Sequence, residues 1–238
     1  MTGIFDSGVG GLISYREVRR ILPREDIAYL ADRGGAPYGT KTKEQLTELV
    51  GCDLERLRRL GAKRILVACC TASTVIPSLP KELLRGVVTV IEPAAEIAAG
   101  GNKIAVIATE YTAASGAFGK EISRLNSRAE VTEIAAQPLV AFVESGSRDG
   151  RMNADCREYL DTLSEKIRNL KADTLILGCT HFSHLSGELR ARLHGVRLIS
   201  PAIEGAAKLC KEIRREPPHT ARGKNSYTEG KKFGKIRA

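Results

Sequence analysis

Short apolar runs alternate with longer amphipathic stretches along the chain, a pattern that predicts a parallel α/β protein. The runs give eight strands, at residues 3–5, 27–30, 64–68, 87–91, 103–108, 131–134, 174–177 and 196–199. Between them the polar spacing predicts helices that include 11–21, 43–60, 156–170 and 184–193. In the first of these, Leu12, Ile13, Val18 and Ile21 form the expected buried stripe. The strand starts fall into two sets of four, 3, 27, 64 and 87, then 103, 131, 174 and 196. Corresponding starts are 100, 104, 110 and 109 residues apart. A shared spacing on top of a shared class indicates an internal duplication: two similar α/β lobes facing each other. Gly100-Gly101-Asn102 is the natural hinge between them, and the proline-containing stretch 216–226 reads as a loop before a short terminal segment.

Ligands bind beyond the carboxyl ends of the strands in open parallel sheets. In the first lobe those ends carry Asp6-Ser7-Gly8, Asp32, Cys69-Cys70-Thr71 and Glu92-Pro93. The second lobe offers Thr109 and then Cys179-Thr180-His181. A cysteine followed closely by a threonine thus recurs at the third strand end of both lobes. Lobes related by a pseudo-twofold axis would bring the two thiols to one ligand from opposite sides. That arrangement suits inversion of a carbon stereocentre by proton transfer, which needs a base on one face and an acid on the other. Cysteine can do both, because its unperturbed pKa of about 8.5 lies near neutrality. Two thiolates together are unfavourable, so one should be thiolate and one thiol at any moment.

Other readings of the same residues are less economical. A lone free cysteine is often a small buried hydrophobe; Cys52, Cys156 and Cys210, inside helical patterns, read that way. Zinc on Cys69, Cys70, Cys179 and His181 would need a spacing that matches no common zinc site. The turn Asp6-Ser7-Gly8-Val9-Gly10-Gly11 lacks the dinucleotide spacing, and its aspartate would repel a pyrophosphate. Pro37-Tyr38-Gly39 taken alone is a tight turn, and Glu144 taken alone is a solvated helix residue. His181 taken alone is a local hydrogen-bonding residue, but its place two residues after Cys179 makes it a candidate proton partner.

Composition adds boundaries. The 238 residues are 42% hydrophobic and 27% charged, as in ordinary globular proteins. No apolar run is long enough to cross a bilayer, and the N-terminus lacks a signal-peptide pattern. Six scattered cysteines, two of them adjacent, suit a reducing cytoplasm better than a disulfide framework. The net charge is +9, but residues 211–238 hold nine Lys or Arg against three Glu. The excess therefore reads as a solvated tail, and no direct nucleic-acid partner is expected.

At these same positions the sequence closely resembles the glutamate racemases of the aspartate/glutamate racemase superfamily. The matching segments are Gly3-Ile4-Phe5-Asp6-Ser7-Gly8-Val9-Gly10-Gly11, Pro37-Tyr38-Gly39, Val67-Ala68-Cys69, Thr71-Ala72-Ser73, Ile91-Glu92-Pro93 and Leu177-Gly178-Cys179-Thr180-His181. They occur in the family's order and spacing over nearly the whole chain. The resemblance implies two pseudo-symmetric lobes around the active site, 1–95 with a returning 205–238, and 96–204. It implies interconversion of L- and D-glutamate, supplying D-glutamate for peptidoglycan, with no pyridoxal phosphate or metal and with a homodimer as one form. By carry-over Cys69 exchanges the proton of D-glutamate and Cys179 that of L-glutamate. Asp6 assists Cys69, while His181 and Glu144 support Cys179. Asp6, Ser7, Tyr38, Gly39, Cys70, Thr71, Thr180 and His181 hold the substrate. The sequence departs from the pattern at Cys70, where the family usually has Asn, and at Ser183, where it usually has Pro. Two other readings stay open: a racemase for a related acidic amino acid such as aspartate, or a weak homologue acting by partner binding, as some glutamate racemases bind DNA gyrase.

Overall fold

The computed structural model describes residues 1–145, 152–215, 226–229 and 232–234. Strands β1 (Thr2–Asp6), β2 (Ile27–Ala31), β3 (Arg64–Val67) and β4 (Val87–Thr89) form one sheet in the order β2-β1-β3-β4. Strands β5 (Lys103–Ala108), β6 (Glu130–Ala135), β7 (Thr174–Gly178) and β8 (Arg197–Ile199) form another in the order β6-β5-β7-β8. The two orders are the same permutation, and every neighbour within each set of four is parallel. The duplication read from strand spacing is therefore a duplication of topology. Strands β1, β2 and β7 are buried at every residue, as expected of parallel strands covered on both faces. A terminal hairpin, β9 (Ser226–Glu229) and β10 (Lys232–Gly234), extends the first sheet, with β9 parallel to β2. The loop expected at 216–226 lies outside the described residues, except that Ser226 opens β9.

The helices are α1 (Leu12–Ile21), α2 (Lys43–Arg59), α3 (Cys70–Val75), α4 (Ile91–Ala98), α5 (Glu110–Ser115), α6 (Ala117–Leu125), α7 (Pro138–Ser145), α8 (Ala154–Asn169), α9 (Ser186–Arg192) and α10 (Pro201–Arg214). Capping sets several of their starts. Thr42 and Gln45 exchange side-chain and backbone hydrogen bonds in a capping box before α2. Asn153 Oδ1 accepts from Cys156 N at 2.8 Å, so α8 begins two residues before the apolar pattern does. The run 87–91, expected as one strand, divides: β4 ends at Thr89 and Ile91 opens α4. Pro93 falls in the first turn of that helix, where a missing N–H costs nothing. The helix expected at 184–193 starts at Ser186, because His184 and Leu185 complete a 3-10 turn over Thr180–Leu185.

Each lobe has its own core, built on Phe5, Leu54 and Ile65 in the first and on Ile107, Leu160 and Leu177 in the second. A further core joins them. Ile4, Tyr29 and Leu66 from one sheet and Ile104, Val106 and Ile176 from the other pack with Ala94, Ala95 and Ala98 of α4 and Leu209 of α10. Each such leucine-sized side chain contributes about 1.5–3 kcal/mol on burial. Cys156 and Cys210 are buried in these cores, as the pattern predicts. Cys52 is not: it is exposed, because the buried stripe of α2 runs through Leu46, Val50, Asp53, Leu54 and Leu57 and leaves position 52 facing water. On α1, Val18 and Ser14 are buried, whereas Leu12 and Ile21 pack at the margin of the shared core and Ile13 is half-buried.

Candidate active site

In the order β2-β1-β3-β4, the chain leaves β1 in one direction and returns on its other side at β3. The crevice between these two strand ends is where such sheets bind ligands. Asp6-Ser7 follows β1 and Cys69-Cys70-Thr71 follows β3. At the equivalent crevice of the second sheet, Thr109 follows β5 and Cys179-Thr180 follows β7. The two crevices face each other around one cavity of about 30 Å3. Ser7, Tyr38, Gly39, Cys69, Cys70, Thr71, Glu144, Cys179, Thr180 and His181 all line it. Asp6 lies beneath, fully buried.

Two glycines let the lobes approach this closely. A Cβ on Gly10 would collide with the Thr180 hydroxyl and sit 3.0 Å from His181 Nδ1. A Cβ on Gly39 would sit 2.6 Å from Gln137 Oε1 and 2.9 Å from Thr109 Cβ. In both cases a first-lobe loop presses its backbone against second-lobe side chains, so any larger residue would wedge the cleft open.

Cys69 occupies the N-cap of α3. Its Sγ accepts from Ala72 N at 3.5 Å and lies 3.5 Å from Ser7 Oγ. Burial, reinforced by the nearby Asp6 charge, pushes this thiol up to about 11, against the pull of those donors. Asp6 makes no hydrogen bond to Cys69 among the described contacts. It accepts instead from Gly8 N at 2.9 Å and from the Thr180 hydroxyl, across the lobes, at 3.4 Å. Burial raises its carboxyl above the usual range, while His181 and its donors oppose that rise. Its charge also acts on Cys179, so Asp6 faces both thiols rather than Cys69 alone.

Cys179 precedes the 3-10 turn and has different neighbours. Its Sγ is 3.6 Å from His181 Nδ1, and His181 Nε2 is 3.3 Å from Glu144 Oε1. That second contact is close enough for an ion pair but is not aligned as a hydrogen bond. The Glu144 side chain is 53% exposed, so one end of this thiol–imidazole–carboxylate row reaches solvent. Burial and then the Cys69 charge push the Cys179 thiol well above its ordinary value. Each thiol thus opposes ionisation of the other.

Thr71 brings a feature that strand ends alone did not reveal. Its Oγ1 lies 3.0 Å from both Thr109 Oγ1 and Thr112 Oγ1, and Thr109 donates to Thr112 at 2.9 Å. Three buried hydroxyls therefore close a ring across the lobes beside the thiols. Thr112 and Gln137 were not singled out from sequence. The Thr-x-x-Thr spacing at 109–112 is the signal for the first, since Thr109 also caps α5 by accepting from Thr112 N. Cys70 both lines the cavity and packs in the shared core, and burial lifts its thiol well above its ordinary value. Ser183 Oγ pairs with Ser200 Oγ at 2.7 Å, which ties down the loop where the family has Pro.

A much larger cavity, about 490 Å3, lies elsewhere, between Thr74 of α3 and Tyr111 of α5, and shares no lining residue with this one. The smaller cavity, not the larger, is lined by a thiol from each lobe. Among the described residues no group of three or more His, Cys, Asp or Glu is arranged to hold a metal ion. No described helix is long and apolar enough to cross a membrane.

A cleft between duplicated lobes, lined by one thiol from each, is the feature this fold and cavity present. Residues 32–209 match the family model of the Asp/Glu/hydantoin racemases. A glutamate racemase from Limosilactobacillus reuteri is 39% identical over 206 residues, covering 85% of this chain and 76% of its own. A glutamate racemase isoform from Bacillus anthracis superposes with a TM-score of 0.88 at 30% identity, covering 96% of this chain and 88% of that one. The glutamate racemase of Francisella tularensis, solved with D-glutamate, gives a TM-score of 0.84 at 27% identity, over 95% and 87% of the two chains. The chain belongs to the Asp/Glu/hydantoin racemase family, and it is an amino-acid racemase, an isomerase.

Proposed function

We propose that the protein interconverts L- and D-glutamate without a cofactor, Cys69 and Cys179 acting as base and acid on opposite faces of the substrate's α-carbon. The observation that carries this reading is the placement of one thiol from each duplicated lobe on a single cavity. Relatives named glutamate racemase, one of them solved with D-glutamate, support the substrate. In one direction the Cys69 thiolate takes the α-proton and the Cys179 thiol delivers its own to the other face. Each turnover leaves the protonation pattern reversed, ready for the opposite enantiomer. Both thiols are raised by burial, so the thiolate forms with the substrate's ammonium present as counter-charge.

The partners divide between the two faces. Ser7 and the Ala72 amide steady charge on Cys69. His181 receives and returns the Cys179 proton, with the Glu144 carboxylate alongside as a counter-charge. The Asp6 charge opposes ionisation of both thiols, and so weighs against two thiolates at once. The hydroxyls of Thr71 and Thr109, with Ser7, Thr180, Tyr38, Gly39 and Cys70, hold the carboxylates and the ammonium, and the fully buried Thr112 steadies the first two. The same reading groups residues 1–95 with 205–238 in one lobe and 96–204 in the other. It places the enzyme in a reducing cytoplasm as a supplier of D-glutamate for peptidoglycan and so for cell shape, with a homodimer as its assembly.

Proton exchange tests the proposal. In deuterated water the protein should introduce deuterium at the α-carbon of both enantiomers, read by proton NMR, faster than it does for aspartate. Absence of deuterium in either glutamate enantiomer would overturn it.

A further inference from the structure

The loop that brings Tyr38 and Gly39 to the cavity is fastened from behind by two carboxylates. The Tyr38 hydroxyl donates to Asp32 Oδ2 at 2.8 Å, and the same oxygen lies 3.3 Å from Asp53 Oδ2. All three residues are buried, Tyr38 2%, Asp32 5% and Asp53 1% exposed. Asp32, just after β2, also accepts from Gly35 N at 3.1 Å and so folds the loop over itself. Asp53 comes from the buried stripe of α2, next to Leu54 and one turn from Val50 and Leu57, where an apolar residue would be expected. Its other oxygen holds Arg56 Nη1 at 2.9 Å, and Arg56 extends to solvent.

A carboxylate in such a stripe is costly unless it has partners. A phenol has one proton, and the shorter contact gives it to Asp32. The Asp53–Tyr38 contact is therefore a full hydrogen bond only when Asp53 carries a proton and donates it to the phenol oxygen. Ionised, Asp53 presents a second negative charge to that oxygen and keeps only Arg56. We propose that Asp53 is a positioning residue: its protonation sets how firmly the Tyr38–Gly39 loop is held against the cavity, and through the loop how tightly substrate binds. This rests on the reading of the cavity as the glutamate site.

The groups facing Asp53 are Arg56 on its own helix, Asp32 after β2 and Tyr38 on the loop. Burial and the Asp32 charge lift Asp53 to about 6, against the pull of Arg56. The contact is thus complete below that pH and weakens as pH rises through it. Asp53→Asn keeps an N–H donor for the phenol oxygen and removes the titration. Asp53→Leu removes both.

The test is KM and kcat for glutamate between about pH 5 and 8 on the wild type and both variants, with thermal melting of each. In the wild type KM should rise about three- to tenfold across that range, relative to Asp53→Asn, whose ratio to it should approach unity at the acid end. Asp53→Leu should have a raised KM at every pH, with kcat within about twofold of the wild type. Parallel KM profiles for the wild type and Asp53→Asn would overturn the proposal, even if Asp53→Leu fails to fold. A wild type that does not turn over glutamate would overturn the substrate assignment instead.

Discussion

Cys69 and Cys179 stand at the same strand end in two copies of one topology, yet they sit in different company. Cys69 caps a helix, accepts a backbone N–H and touches a serine hydroxyl. Cys179 opens a 3-10 turn, feels the His181 and Phe182 backbone N–H groups, and leans on an imidazole with a carboxylate alongside. Duplication gave the pair its symmetry of position, which the proposed reaction on two faces of one carbon requires. Backbone dipoles flank both thiols, but the other neighbours diverged: a serine hydroxyl stands beside Cys69 and an imidazole beside Cys179. Enantiomers are equal in energy, so kcat/KM must be the same in both directions for every variant. The asymmetry of the loops can therefore appear only in kcat and KM separately, or in isotope exchange and isotope effects.

The largest effect should come from the thiols themselves. Cys69→Ser and Cys179→Ser should each lower racemisation by about a thousandfold, within the usual range for a lost acid–base group. Their exchange behaviour should differ: Cys69→Ser keeps slow solvent exchange at the α-carbon of L-glutamate, Cys179→Ser that of D-glutamate. Loss of exchange for the same enantiomer in both variants would remove the assignment of faces. Next, His181→Asn should lower turnover about a hundredfold and enlarge the α-deuterium isotope effect in the L-to-D direction more than in the reverse. Equal isotope effects in both directions would show that His181 does not serve Cys179 alone.

The pH profile should sharpen the comparison further. Both thiols are raised by burial, and the proposed mechanism needs one deprotonated. kcat/KM should therefore climb as pH rises from about 7 to 9, by up to about tenfold per unit, below a Cys69 value of about 11. A profile falling over that range would contradict the raised thiols. Cys70→Asn should act more mildly and in two directions. An amide can donate to a substrate carboxylate, which should tighten binding by about tenfold, worth about 1.4 kcal/mol. In the free protein the same amide would sit in the shared core, so the melting temperature should fall. The smallest effect should be Glu144→Gln, a few-fold at most, because that carboxylate is half-exposed and poorly aligned.

The parts of the molecule written as local periodicity were legible before any coordinates. All eight strands of the two parallel sets, their repeated spacing and the cysteines at their ends follow from apolar runs and turn residues. What escaped depends on contacts far apart in the chain. The edge pairing of β9 with β2 joins residues almost 200 positions apart and leaves no local pattern. Thr112 enters the hydroxyl ring only because α5 meets α3 across the lobes. Asp53 looks like a polar interruption of an amphipathic helix until Tyr38 arrives from a neighbouring loop. Cys52 was misread because a helical pattern fixes a helix but not which of its faces a single small residue joins.

The two-thiol account is tested most directly by circular dichroism of pure L- and pure D-glutamate, without added cofactor, over the wild type, Cys69→Ser and Cys179→Ser. The account predicts that both signals decay to zero with the wild type and persist with each variant. A variant that drives either signal to zero at the wild-type rate would contradict it.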